Sequence, residues 1–371
     1  MKGLHGIIFS YEKHNNLRDL TANRMPASVP FAGRYRIVDF ILSSMVNAGI
    51  TDVGVVLHGN YQSLLDHLGS GKDWDLSRKY GGLKLLPPFA YEQSGTVRQF
   101  RGKMEALAGV RSYLEGIRQS HVVLSDSDLI INIPLQDVYQ DHLASGADIT
   151  AVCTSNTDGP EDATYFRLDG GGRVTETLSA LRDPAGCHRS LEIYILSKQL
   201  LLDLVDECMS HDLISFRSAV LQAKVDSLNI HSYVWDGYAA QIRSLKEYYD
   251  RSMELMDSAI RREVFHPQRP IHTKERNDAS TYIDPDGSCR NCIVADGCTI
   301  EGTVENSILF RGVSVARGAE VKNCILMQDV TVSRDAVLHH VIADKNVEIL
   351  DSRTLIGHDQ YPLSIAKGSK V

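Results

Sequence analysis

A surplus of positive charge is what this chain most plainly lacks. Its 39 lysines and arginines stand against 47 aspartates and glutamates, a net charge of −8 at pH 7. That balance argues against a general nucleic-acid or anionic-membrane binder, because both want a basic surface. Long apolar runs are missing too: none approaches the roughly 18 residues that would suggest a membrane span. The stretch from Lys2 to Phe9 is too short to read as a signal peptide, so a cytoplasmic protein is expected. Nor is there an even set of closely spaced cysteines. Seven are scattered through the chain, which fits reduced thiols better than a disulfide framework. Cys289-x-x-Cys292 followed by Cys298 invites a zinc reading, but a fourth ligand at suitable spacing is missing. Cys324 recurs in the same repeated phrase as Cys292, the mark of a packing position, and no metal site is expected.

What is present is an ordinary globular composition, 43% hydrophobic and 23% charged, over 371 residues. That length suggests two or three domains with full cores. Up to about Asp250 apolar strands alternate with helical stretches, the pattern of a parallel sheet covered on both faces. The strands read as Gly3–Phe9, Asp52–Leu57, His121–Leu124, Asp148–Ser155, Ser190–Leu196 and Leu228–Val234. Among the helices are Val38–Ala48, Met104–Glu115, Lys198–Cys208 and Ser244–Arg262. The domain boundaries are set at 1–265 for the α/β part, 266–287 for a linker and 288–371 for a repeat.

The repeat is a phrase: Asn291-Cys292-Ile293-Val294, Asn306-Ser307-Ile308-Leu309, Asn323-Cys324-Ile325-Leu326 and His340-Val341-Ile342-Ala343. Its isoleucines fall 15, 17 and 17 positions apart, and Leu309, Val315, Val321 and Met327 are spaced by six. Six residues per flat side and about 18 per turn predict a triangular parallel β-helix, here of four coils. His339 and His340 could serve a β-helix acyltransferase as a base; read plainly they are polar corner residues.

After the first strand, Leu4–Phe9, the segment Tyr11-Glu12-Lys13-His14-Asn15-Asn16 contains no glycine. It leads to Pro30-Phe31-Ala32-Gly33-Arg34-Tyr35-Arg36-Ile37-Val38-Asp39-Phe40. With Gly69–Leu76, Gly81–Pro88 and Arg269-Pro270-Ile271-His272-Thr273, this frame resembles the bacterial glucose-1-phosphate adenylyltransferases across nearly the whole chain. The resemblance implies a Rossmann-like, GT-A-like nucleotidyltransferase domain followed by a left-handed parallel β-helix.

The resemblance also implies where the chemistry should be, and there the chain departs from it. The family loop Gly-Gly-x-Gly-x-Arg brings backbone N–H groups to a triphosphate. Tyr11, Glu12 and His14 replace its glycines, and Asn16 its arginine. Pro26 stands where the family has a phosphate-binding lysine. Gly102-Lys103-Met104-Glu105-Ala106 replaces Gly-Thr-Ala-Asp-Ala, and Glu192 replaces a glycine near the sugar. Of two magnesium-binding aspartates, Asp128 survives and the other is Gln241. Phosphoryl-type transfer is mostly positioning and charge stabilisation, so these losses point to a pseudoenzyme. The expectation is a noncatalytic regulatory subunit that assembles with the catalytic one, and forms homo-oligomers when alone. It needs no cofactor, with Mg2+ used only if activity remains. Arg34 and Arg36 are its candidates for holding an anionic metabolite. The alternatives are an active sugar-phosphate nucleotidyltransferase with an altered pocket, a sugar-phosphate sensor, or the acyltransferase.

Overall fold

Six consecutive residues, Leu4–Phe9, are all buried and form the central strand of a nine-stranded sheet. A run this buried, apolar but for His5, belongs to a strand covered on both faces. The computed structural model describes residues 3–10, 16–87, 89–91, 97–160 and 162–371. The chain divides into two compact units. One holds the first strand, Phe40–Gln241 and Pro267–His272; the other holds the segment ending at Asp39, Ile242–His266 and Thr273–Val371.

In the first unit Leu4–Phe9 runs parallel to Asp52–Val56 and to His121–Asp126, with Phe9 opposite Asp126. Gly82–Leu86 extends the parallel part beyond Asp52–Val56. A Cβ on Gly6 would come within 2.6 Å of the Met45 sulfur, so glycine is what lets the helix Ile37–Asn47 lie close on the sheet. The sheet is mixed rather than wholly parallel as expected. His188–Ser197 is antiparallel to His121–Asp126, to Ile149–Thr154 and to Thr164–Leu168, and Val174–Ser179 continues the antiparallel edge. Periodicity reports burial, not direction, so this half of the sheet could not be oriented from the sequence. A two-stranded ribbon, Leu129–Ile131 with Ala239–Gln241, lies apart from the main sheet.

Two expected helices are each broken in two. Met104–Glu115 is Lys103–Gly109 and Arg111–Glu115. Ser244–Arg262 is Leu245–Glu254 and Ser258–Val264, because Asp257 caps a fresh start by accepting from the Ala259 N–H at 2.7 Å. Ser244 opens the first of these with a reciprocal cap: its Oγ accepts from the Glu247 N–H, and Glu247 accepts from the Ser244 N–H.

The second unit contains three parallel sheets of five short strands, a left-handed β-helix of five coils. The sequence phrase marks only four. The fifth coil carries Gly357 and the loop through Tyr361 where the phrase would fall, and Leu363–Ile365 completes it. Val304, Val321 and Leu338 stack inward on one face, and Leu309, Leu326, Ala343 and Ile365 on another. The phrase's polar residues Asn291, Asn306, Asn323 and His340 all take left-handed φ, between 47° and 53°, at the coil corner. They form a ladder: Asn291 donates to Asn306, Asn306 to Asn323, and Asn323 meets His340 Nε2 at 3.3 Å. Tyr249, from Leu245–Glu254, closes the ladder with its hydroxyl 2.9 Å from both the Asn323 carbonyl and His340 Nδ1. Among the described residues no helix is long and apolar enough to cross a membrane.

Candidate functional site

The central parallel strands end at Phe9 and Asp126, and the chain past Asp126 turns with the Ser127 N–H bonded to the Phe9 carbonyl at 3.1 Å. Carboxyl ends of parallel strands are where open α/β sheets bind ligands. Asp126, Ser127 and Asp128 are buried there. Asp128 precedes the ribbon strand whose Leu129 is the partner of Gln241, so the two expected metal positions come together.

The Gln241 side chain is already engaged. Its Oε1 accepts from Arg189 Nη1 at 2.7 Å, and Arg189 Nε donates to the Asn156 carbonyl at 3.2 Å. Arg189 is 1% exposed, one of the largest fully buried side chains of the molecule. Gly159 makes room for its stem: a Cβ there would lie 2.5 Å from Arg189 Cδ.

Beside it lies a second charged group. Lys103, at the first position of its helix, places Nζ 2.8 Å from Asp126 Oδ2 and 3.0 Å from Glu192 Oε2. The same ammonium sits 5.7 Å from the centroid of the Phe9 ring, within cation–π range. Glu192 takes a left-handed φ of 55° at an irregularity in the strand His188–Ser197. Its backbone N–H donates to Ser190 Oγ, and its other carboxylate oxygen accepts from Thr164. Burial, with the Glu192 carboxylate next, holds the neighbouring Tyr194 phenol protonated far above its usual range. Phe9, Leu124, Tyr194 and Phe216 wall a void of ≈ 200 Å³ beside this network, its open part included.

Tyr11, Glu12 and His14 lie outside the described residues. Asn16 and Pro26 belong to the second unit. Asn16 bridges to Ser244, its N–H bonded to the Arg243 carbonyl at 2.6 Å, and Pro26 opens the short 3-10 turn Pro26–Ser28. The two anion candidates part company. Arg34 is half-exposed and lies 3.9 Å from Asp296. Arg36 instead adds its charge to the surroundings of Lys345, whose ammonium is pushed down to about 7 by burial first and then by the Arg36 and Arg24 guanidiniums. Lys367 adds to that field and Asp344 opposes it. Asp39 accepts from the backbone N–H of Arg36 at 2.9 Å. Arg24 is buried, pairs with Asp344, and has Nη1 without a hydrogen-bond partner among the described residues.

Sequence reading missed Arg189, Arg24, Lys345 and Lys367, and did not join Lys103 to Glu192. Signals existed for some. Lys103 and Glu192 bring opposite charges to one site, and Lys345 and Lys367 lie on successive coils, with the Gly368 N–H bonded to the Lys345 carbonyl. Nothing in the sequence pairs Arg189 with Gln241. Among the described residues no three His, Cys, Asp or Glu side chains are grouped to hold a metal ion.

Residues 6–176 match the family described as Nucleotidyl transferase, and residues 279–362 the GlmU-like C-terminal hexapeptide family. The chain is 39% identical to the glycogen biosynthesis protein GlgD of Bacillus subtilis over 98% of its length and 95% of that protein's. It is 36% identical to GlgD of Geobacillus stearothermophilus, over 85% of this chain and 82% of the relative. To the glucose-1-phosphate adenylyltransferase of the same organism the identity is 32%, over 83% and 80%.

Proposed function

The chain belongs to the family of the GlgD glycogen biosynthesis proteins and the glucose-1-phosphate adenylyltransferases, and from that premise we propose that it is a regulatory subunit in ADP-glucose and glycogen synthesis, with little or no transferase activity of its own. The observation that carries this reading is the state of the strand-end cleft. Lys103 lies across Asp126 and Glu192, and Arg189 holds Gln241, so side chains of the protein take up the polar positions that a reacting nucleotide and sugar phosphate would need. Transfer of a nucleotidyl group depends on donors and charges that are free to meet the transition state.

The remaining role is exerted on a partner. A catalytic glucose-1-phosphate adenylyltransferase subunit is the partner proposed, through a hetero-oligomer, with homo-oligomers forming when the chain is alone. An anionic metabolite held by the cationic cluster of Arg24, Arg36, Lys345 and Lys367 would supply the regulatory input. A reading as an active transferase draws on one observation, the carboxylates Asp126 and Asp128 kept at the strand ends.

Mixing settles the choice. The purified chain and a catalytic glucose-1-phosphate adenylyltransferase should co-elute, and pyrophosphate release from ATP and glucose 1-phosphate should change in rate or in response to anions. Pyrophosphate release by this chain alone at a rate matching the catalytic subunit would reject the proposal. So would failure of the two proteins to associate.

A further inference from the structure

Transferases of the resembled type work with a divalent ion, so the fit of such an ion to this cleft can be asked of the residues present. Magnesium requires several hard oxygen ligands, of which one or two are usually carboxylates. Four side chains here supply oxygens to be considered, Asp126, Asp128, Glu192 and Gln241, and three of the four already have an oxygen held by a cation. Asp126 Oδ2 and Glu192 Oε2 share the Lys103 ammonium, and Gln241 Oε1 is held by Arg189 Nη1. The residue at 241 is an amide, which carries no charge to offset an ion. The fit fails because two cations already occupy these oxygens and position 241 offers no carboxylate.

The guanidinium is the more telling of the two. A cation that is 1% exposed is expensive to desolvate, and it persists only where the surroundings are shaped for it. The surroundings of Arg189 are so shaped: an amide oxygen and a backbone carbonyl receive two of its nitrogens, and Gly159 leaves space for its stem. A divalent ion brought beside two fixed positive side chains would be repelled by both in a low-dielectric cleft.

We infer that Arg189 and Lys103 are resident cations that have taken over the place of the divalent metal, so that the protein itself supplies the positive charge of the cleft and closes it to Mg2+. This rests on reading the strand-end cleft as the former transfer site. It goes beyond catalytic deficiency, since it states what fills the site and why restoring one carboxylate will not reopen it. The cleft then serves as a packed element of the first unit, with its order independent of metal.

The test uses the full-length chain and Mn2+ as the probe, followed by the loss of the free aqueous ion's electron paramagnetic resonance signal. The unaltered protein should leave millimolar Mn2+ free, and its melting temperature should be the same in EDTA as in excess Mg2+. Gln241→Asp should still bind no Mn2+ and should melt higher, because the new carboxylate pairs with Arg189. Gln241→Asp combined with Arg189→Met and Lys103→Met, which keep the stems and remove the charges, should gain Mn2+ binding by at least tenfold. Sub-millimolar Mn2+ binding by the unaltered chain, lost on mutating Asp126 or Asp128, would overturn the inference. A folded triple variant no better than Gln241→Asp alone would also overturn it. If the triple variant does not fold, the unaltered chain and Gln241→Asp still decide the matter. The metal readout concerns this chain alone, so it can fail while the mixed complex still shows regulation, and the reverse.

Discussion

Lys103 and Glu192, 89 positions apart, meet with Nζ 3.0 Å from Oε2. Each departs from the pattern of the resembled transferases, one adding a positive charge and the other a negative. Together with Asp126 they form a three-membered network in which each departure makes the other tolerable. Buried charges need partners, and removal of one member leaves the rest uncompensated.

A double-mutant cycle measures that dependence. Lys103→Ala should cost about 2–4 kcal/mol, since it leaves two carboxylates facing each other in a largely buried site. Glu192→Ala should cost less, because Lys103 keeps Asp126. The double variant should recover about 1–3 kcal/mol relative to the sum, read from denaturant unfolding. Strict additivity would mean that the pair is not coupled.

Catalysis by the chain alone should be at least about a thousandfold below the roughly 1–100 per second of phosphoryl-transfer enzymes such as kinases. Pro26→Lys with Gln241→Asp should not restore it, because Arg189 and Lys103 remain in place. Pyrophosphate release under saturating ATP, glucose 1-phosphate and Mg2+ is the assay.

The anion response should separate the two arginines. Arg36→Ala should raise the half-saturating concentration of an activating anion in the mixed complex by about tenfold, the worth of one charge-assisted hydrogen bond. Arg34→Ala should change it by less than about twofold, because its partner is Asp296 on a half-exposed site. Equal effects of the two substitutions would place the anion elsewhere.

Lys345 makes this cluster sensitive to pH. Its folded-state pKa of about 7 lies below the ordinary 10.5, so between those values the unfolded chain holds a proton that the folded chain lacks. Without anion, stability should therefore rise with pH from about 7 to 10.5, and Lys345→Met should flatten that slope. A bound anion favours the charged ammonium, so sulfate should raise the melting temperature more at pH 6 than at pH 8.5. Thermal melts at both pH values, with and without sulfate, check the sign.

Tyr249→Phe removes the hydroxyl that touches both the Asn323 carbonyl and His340 Nδ1. The expected cost is about 1–2 kcal/mol, seen as a fall of a few degrees in melting temperature. Asn306→Ala, inside the ladder, should cost more, as it breaks two ladder contacts and forces a left-handed φ on alanine.

The β-helix could be read from the sequence because its contacts are between residues one coil apart. Ile308, Ile325 and Ile342 stack on one another as their spacing implies, and Asn306 finds Asn323 by the same rule. The fifth coil escaped notice where its corner loop interrupts the phrase. In the α/β unit the buried strands showed themselves as apolar runs, whereas the antiparallel direction of His188–Ser197 did not. Asp128 and Gln241 were assigned to one site by resemblance alone; in the structure Leu129, the next residue after Asp128, pairs with Gln241 in the ribbon.

Local pattern thus determined the strands and the repeat, which depend on neighbours in the chain or on a fixed period. Only the tertiary structure decided the partners of the charges. Arg189 meets Gln241 across 52 positions, Lys103 meets Glu192 across 89, and Arg24 meets Asp344 across 320. No periodicity encodes such distances. A buried charge is stabilised by whichever group the folded chain brings within reach of it, and that group is known only once the fold has formed.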